Sequence, residues 1–172
     1  CQIGVFGAVT ALMAQVSIPM PLGRYMTMQT FAVSLGGMVL GAKRGATAFF
    51  VYLLLGAVGV PVFASFRGGL QQLVSPTGGF LLSFPLMAYL IGWGAERGGR
   101  FFVAAGMLAG TAANYIVGML LFALLMRSTL ATAFTTCVLP FLPTAVIKAI
   151  GAALLGAALR RRGIAAGRQY IQ

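Results

Sequence analysis

Three side chains stand out in a chain with few groups capable of chemistry. Lys148 lies inside an apolar run, five residues beyond Pro143, and no acidic residue in the sequence is placed to neutralise it. A helix starting near Thr144 sets its ammonium roughly 6–8 Å from the nearer end of that segment, at 1.5 Å per residue. A lone cation there either extends its stem to the interface or awaits an anion in a cavity opening outward. Asn114 shares one helical face with Thr111 and Tyr115 near the middle of another apolar run. Polar groups at that depth are costly unless partnered, and either interhelical hydrogen bonds or contact with a substrate would satisfy them. Arg67 lies between Pro61 and Phe80, a stretch separating two apolar runs. Its pairs Gly68-Gly69 and Gly78-Gly79 admit positive φ, while Pro61 and Pro76 interrupt helix continuity. A loop of that composition beside a membrane points to a role beyond connection.

What is missing narrows the function further. Glu96 is the one carboxylate side chain in the sequence, and beside Arg97 it is expected to form a solvated pair. Two-carboxylate catalysis and a magnesium site both need acids that are absent. There is no histidine, and the two cysteines, Cys1 and Cys137, support neither a metal cluster nor a disulfide framework. No nucleophile–base pair is evident, which argues against an intramembrane enzyme. Neither lysine ends a nucleotide-binding Gly-x-x-x-x-Gly-Lys-Ser/Thr loop, since Lys43 follows Ala42 and Lys148 follows Ile147. If the protein moves something uphill, the energy comes from another polypeptide or a bound ion. No cofactor of its own is expected.

The elements carrying these residues are membrane helices. The 172 residues are 60% hydrophobic and 8% charged, with a mean hydropathy of +0.98, against an apolar share of roughly 45–50% in soluble domains. One polytopic domain over 1–172 is expected, with six transmembrane helices at about 3–18, 30–42, 46–60, 80–95, 101–126 and 144–160. The formal net charge of +11 follows topology and does not form a nucleic-acid-binding stripe. Lys43, Arg44, Arg97, Arg100, Arg160, Arg161, Arg162 and Arg168 fall on one side, and Arg24, Arg67 and Arg127 on the other. That excess predicts both termini in the cytoplasm and the loop 61–79 outside. Cys1 could mimic a lipoprotein start, but a cytoplasmic N-terminus argues against it. Gly4, Gly7, Ala8 and Ala11 give the first helix small residues four apart. Such a stripe allows close approach of a helix, either within the bundle or from another membrane subunit.

Beyond these residues, the sequence resembles the BioY family, the biotin-specific substrate-binding (S) components of energy-coupling factor (ECF) transporters. The segments that carry the resemblance are Met28-Gln29-Thr30-Phe31-Ala32-Val33, Tyr52 to Ala64, Gly68-Gly69-Leu70, Ser75 to Phe80, and Leu139 to Pro143 with Lys148. The resemblance implies an all-α, six-helix integral membrane S-component fold in a prokaryotic cell membrane. It also implies a biotin pocket at the extracellular side, capped by the loop between helices three and four. Docking would be onto a transmembrane coupling protein served by two ATPase subunits, which consume the ATP, with the small-residue face of helix one as the contact. The site expected from both lines comprises Arg67, Gly68, Gly69, Thr77, Gly78, Phe80, Asn114 and Lys148. One departure stands out: the family's acidic position three residues before the lysine is Ala145 here, so either another acceptor such as Asn114 or a loop carbonyl replaces it, or affinity is reduced, or the ligand differs. Phe80 likewise stands where the motif often has tyrosine. Two other readings remain open, an S component for another small vitamin and a ligand-free membrane scaffold subunit.

Overall fold

The computed structural model describes residues 2–20 and 24–161, with the backbone alone described at 17–20, 24–27 and 160–161. Cys1, Arg162 and Arg168 lie outside the described residues, as do the side chains of Arg24, Arg160 and Arg161. In chain order the elements are α1 (Gln2–Gln15), β1 (Ser17–Met20), β2 (Arg24–Thr27), α2 (Gln29–Leu40) and α3 (Ala42–Val58). A 3-10 turn (Ala64–Phe66), α4 (Leu70–Leu73), α5 (Gly78–Leu82) and α6 (Phe84–Glu96) follow. The chain continues with α7 (Arg100–Met126), α8 (Leu130–Cys137), a second 3-10 turn (Leu139–Phe141) and α9 (Leu142–Arg161).

The core forms around α2. Every residue from Ala32 to Met38 is buried, because α1, α3, α6 and α9 all pack against this helix. Small residues set the spacing: Gly36 faces the Phe49 ring of α3 and Gly37 the backbone of Ala88 in α6. Val33, Met38, Phe49, Tyr52, Met87 and Ile91 fill the space between them. At 12 residues α2 is about 18 Å long, well short of a bilayer core of roughly 30 Å. It is enclosed by α1, α3, α6 and α9.

The structure corrects several boundaries. The first helix stops at Gln15, not 18, and the chain turns into an antiparallel hairpin that pairs Ser17 with Thr27 and Met20 with Arg24. Val16 and Ile18 are β-branched and Pro19 has no N–H, so the stretch favours extended backbone; in place of the expected all-α fold, the regular elements among the described residues are helices and this one ribbon. The helix expected over 80–95 is two, α5 and α6, broken at Ser83 because Pro85 stands in the first turn of α6. The expected loop 61–79 contains a 3-10 turn and α4. The mildly apolar run after Arg127 forms α8, with Thr129 Oγ1 accepting from Thr132 N at 3.3 Å as its cap. Two stretches among the described residues, Arg100–Met126 and Leu130–Leu159, are long and apolar enough to cross a membrane. They expose Leu108, Leu124, Ile147 and Leu154, a surface suited to lipid.

Glu96 also departs from expectation. Its Oε1 accepts from the backbone N of Ala42 at 3.0 Å, so the carboxylate caps the positive N-terminal end of α3. Lys43 and Arg44 therefore lie in the first turn of α3, which starts at Ala42 and not at 46. Arg97 turns to the rings, its guanidinium 3.8 Å from the Trp93 centroid. Replacing Glu96 by Ala should lower stability by about 1 kcal/mol, the usual effect of losing a cap. Glu96→Gln, which keeps an acceptor, should recover part of it; thermal unfolding in detergent measures both.

Candidate functional site

At one end of the bundle the elements leave a cavity of about 150 Å³. A single water needs roughly 10–15 Å³ on this measure, so the space is ligand-sized. Gln29 and Thr30 come from the start of α2, Phe63 and Ala64 from the segment after α3, and Gln72, Pro76 and Thr77 from α4 and the turn beyond it. Phe80, Leu81 and Phe84 line the α5–α6 side, Asn114, Tyr115 and Phe122 the α7 side, and Cys137, Phe141, Thr144, Ala145 and Lys148 the side of α8 and α9. The wall is mostly aromatic and aliphatic with a few polar groups converging on it, the usual make-up of a small-molecule site. Phe80 meets Tyr115 edge to face, ring centroids 6.2 Å apart.

The breaks in the helices put these residues on the wall. Ser83, at the α5–α6 junction, donates to Asn114 Oδ1 at 2.5 Å and lies 2.9 Å from the Phe80 carbonyl. Asn114 is 1% exposed, so Ser83 fixes one end of its carboxamide and the other end is left to the cavity. Lys148 is half-buried on the wall. Because α9 starts at Leu142 rather than Thr144, it is the seventh helical residue, roughly 9 Å along the axis. Ala145, one turn earlier, puts a methyl group on the same wall. A smaller space of about 20 Å³ adjoins, lined by Thr30, Ser34, Thr111, Asn114, Tyr115 and Lys148 among others, large enough for one water.

Of the residues singled out from the sequence, Thr77, Phe80, Asn114 and Lys148 are brought together on this wall. Arg67, Gly68, Gly69 and Gly78 lie off it. Arg67 is exposed, and its carbonyl accepts from Phe63 N at 3.0 Å. A Cβ on Gly68 or Gly78 would collide with the carbonyl of Val60 or Leu73, and Gly69 has φ +96°. Those three glycines thus serve the turns themselves. The wall also includes Gln29 and Gln72, which the sequence alone does not assign to the site, and Tyr115, for which it leaves substrate contact as one of two alternatives. Gln29 belongs to the Met28–Val33 segment and Tyr115 to the polar face of α7, whereas nothing in the local pattern marks Gln72. On α1, Gly4 and Ala8 are exposed, and a methyl group added at Gly4 or Gly7 would meet nothing within 4 Å, while Ala11 packs against the core.

The segment that brings Phe63 and Ala64 to the wall is tightly held. Tyr52 Oη accepts from Gln29 Nε2 at 2.8 Å and donates to the Val62 carbonyl at 2.7 Å. Phe63 plugs into α3, where a Cβ on Gly56 would fall 2.0 Å from its ring, and it packs edge to face on Tyr52. Gly69 N donates to the Gly56 carbonyl at 2.6 Å.

Comparison with known proteins identifies the family and the fold. The BioY family model matches residues 1–164. The biotin transporter BioY of Thermotoga maritima is 39% identical over 162 residues, covering 93% of this chain and 94% of that protein. The probable biotin transporter BioY of Pyrococcus horikoshii is 35% identical over 161 residues, covering 92% and 93%. Among solved structures, the S-component for biotin from an ECF-type ABC transporter superposes with a TM-score of 0.85 at 22% identity, covering 92% of this chain and 88% of that one, which establishes the fold. With a family match running along nearly the whole sequence and relatives this similar over nearly their full length, the chain belongs to the BioY family.

Proposed function

We propose that this protein captures biotin in the cavity beneath the 61–77 segment, as the substrate-binding subunit of an ATP-driven ECF transporter. The observation that carries the reading is a ligand-sized, aromatic-walled cavity on which Lys148 and the fixed carboxamide of Asn114 converge. Biotin has an apolar ring system and chain, a ureido group that needs donors and acceptors, and a carboxylate that needs a cation. In this reading Lys148 meets the carboxylate, while Asn114, Gln29, Gln72 and Thr77 serve the ureido group. The amides take over the acceptor role that Ala145 cannot fill. Phe80 packs against the rings.

The chain holds no cofactor and obtains its energy from partners, a transmembrane coupling protein and two ATPase subunits. The exposed Gly4 and Ala8, with Gly7, offer a docking face for such a helix on α1, and Ala11 supports that face from the core side. Six membrane-crossing segments with both termini in the cytoplasm of a prokaryotic cell fit the charge distribution. Lys43, Arg44, Arg97 and Arg100 belong to the ends of α3, α6 and α7 near the point where Glu96 caps α3, at the face proposed to be cytoplasmic. The cavity mouth and Arg67 then face outward. A scaffold with no ligand would have no use for such a cavity.

A second reading, an S component for another small vitamin, is favoured by the methyl group of Ala145 on the wall. Thermal stabilisation of the purified protein by biotin, thiamine and riboflavin separates the two, because a ligand that binds the folded state must raise its stability. Biotin is expected to give the largest shift. Lys148→Ala should raise the Kd for labelled biotin about 10- to 100-fold, the range for losing a charge-assisted hydrogen bond. Equal affinities would remove Lys148 from the carboxylate.

A further inference from the structure

Among the described residues α1 contributes nothing to the cavity wall, yet its last residue reaches the segment that covers it. Gln15 Nε2 donates to the Phe63 carbonyl at 3.1 Å, and Gln15 Oε1 accepts from Phe66 N at 2.9 Å. One carboxamide therefore uses its donor and its acceptor on two backbone groups three residues apart, as a neighbouring strand would. The backbone it grips is held in an unusual conformation. Ser65 and Phe66 have φ of 59° and 56°, left-handed values that are disfavoured for residues with a Cβ and persist where surrounding contacts enforce them. Phe66 is 72% exposed, so its ring buries little that could hold the turn. Across the turn, Phe63 N donates to the Arg67 carbonyl at 3.0 Å and Arg67 N to the Ala64 carbonyl at 3.4 Å. Phe63 and Ala64, the residues entering the turn, are wall residues of the cavity.

We infer that Gln15 is a positioning residue for ligand exchange: its carboxamide latches the strained 63–67 turn shut over the cavity and so sets how fast a ligand enters and leaves. The inference rests on the reading of this cavity as the biotin site. The latch is made by protein atoms alone, so it steadies the covered state with or without ligand. Its loss accelerates entry and release together and changes Kd by less than either rate. Tyr52, Gly56 and Gln29 anchor the same segment from α2 and α3 on either side of the turn, at Val62 before it and Gly69 after it. With those anchors intact, opening is a swing of the turn and not unfolding of the bundle.

The test uses the full chain purified in detergent, wild type against Gln15→Met, which keeps the volume and removes both hydrogen bonds to the turn, along with the long 3.4 Å contact to the Ala11 carbonyl within α1. Labelled biotin should leave about tenfold faster from the variant, the effect of losing two net hydrogen bonds of ordinary strength. Association should accelerate similarly, with the unfolding midpoint little changed. Gln15→Glu keeps the acceptor for Phe66 N and loses the donor to the Phe63 carbonyl, so it should fall between the two. It also serves if the methionine variant does not fold. In a second arm without ligand, amide hydrogen exchange over residues 63–67 should be faster in both variants. Unchanged exchange there overturns the latch, and so does unchanged release. Faster release with unaltered association overturns it too, because Gln15 would then be acting on the ligand's own contacts. If wild type binds no biotin, the functional reading fails, while the exchange arm still decides whether the latch exists.

Discussion

The site depends on how the backbone between α3 and α5 satisfies its hydrogen bonds. An irregular segment cannot leave buried N–H and C=O groups unpaired without large cost, and this one contributes Phe63, Ala64, Gln72, Pro76 and Thr77 to the cavity wall. Its carbonyls and amides find partners on other elements: Tyr52 for Val62, Gln15 for Phe63 and Phe66, and the Gly56 carbonyl for Gly69. With those bonds made, the segment is a fixed part of the wall whose Phe63 ring reaches both α3 and the cavity.

The same demand explains how polar side chains are used elsewhere. Ser34 donates to the Thr30 carbonyl within α2, Thr10 to the Phe6 carbonyl within α1, and Ser83 meets Asn114 between α6 and α7. The single carboxylate is spent on a helix N-terminus, where it joins the α2–α3 turn to the end of α6. Lys148 shares its wall with hydroxyls, amides and aromatic rings.

Breaks in regular structure create the cavity. Ser83 divides what would be one helix, and the Leu139–Phe141 turn bends the chain between α8 and α9. A straight helix would present one stripe to its neighbours. Divided ones turn Phe80 and Phe84, and then Cys137, Phe141 and Thr144, toward a common space. The second apolar cluster, Phe122, Ala133, Cys137 and Val138, closes the α7–α8 flank of that space. Proline stands at both breaks, Pro85 after the first and Pro140 within the second, and so the breaks are encoded locally.

Membrane character, the sidedness of the charges, the lack of catalytic acids and the singular status of Lys148 and Asn114 all follow from composition and position along the chain. α7 was legible to within a residue because a long apolar run between basic ends has one solution. The ends of α1 and α3 were not: the hairpin needs Ser17–Met20 and Arg24–Thr27 to find each other, and the start of α3 needs Glu96, 54 residues away. The sequence pointed to glycine-rich turns as a ligand surface, whereas folding commits Gly68, Gly69 and Gly78 to the turns and brings Gln29, Gln72 and Tyr115 to the wall. Residue type and spacing determine which groups must be satisfied inside a membrane. Only the tertiary structure decides which distant partner satisfies each one, because that choice depends on packing between segments far apart in the chain.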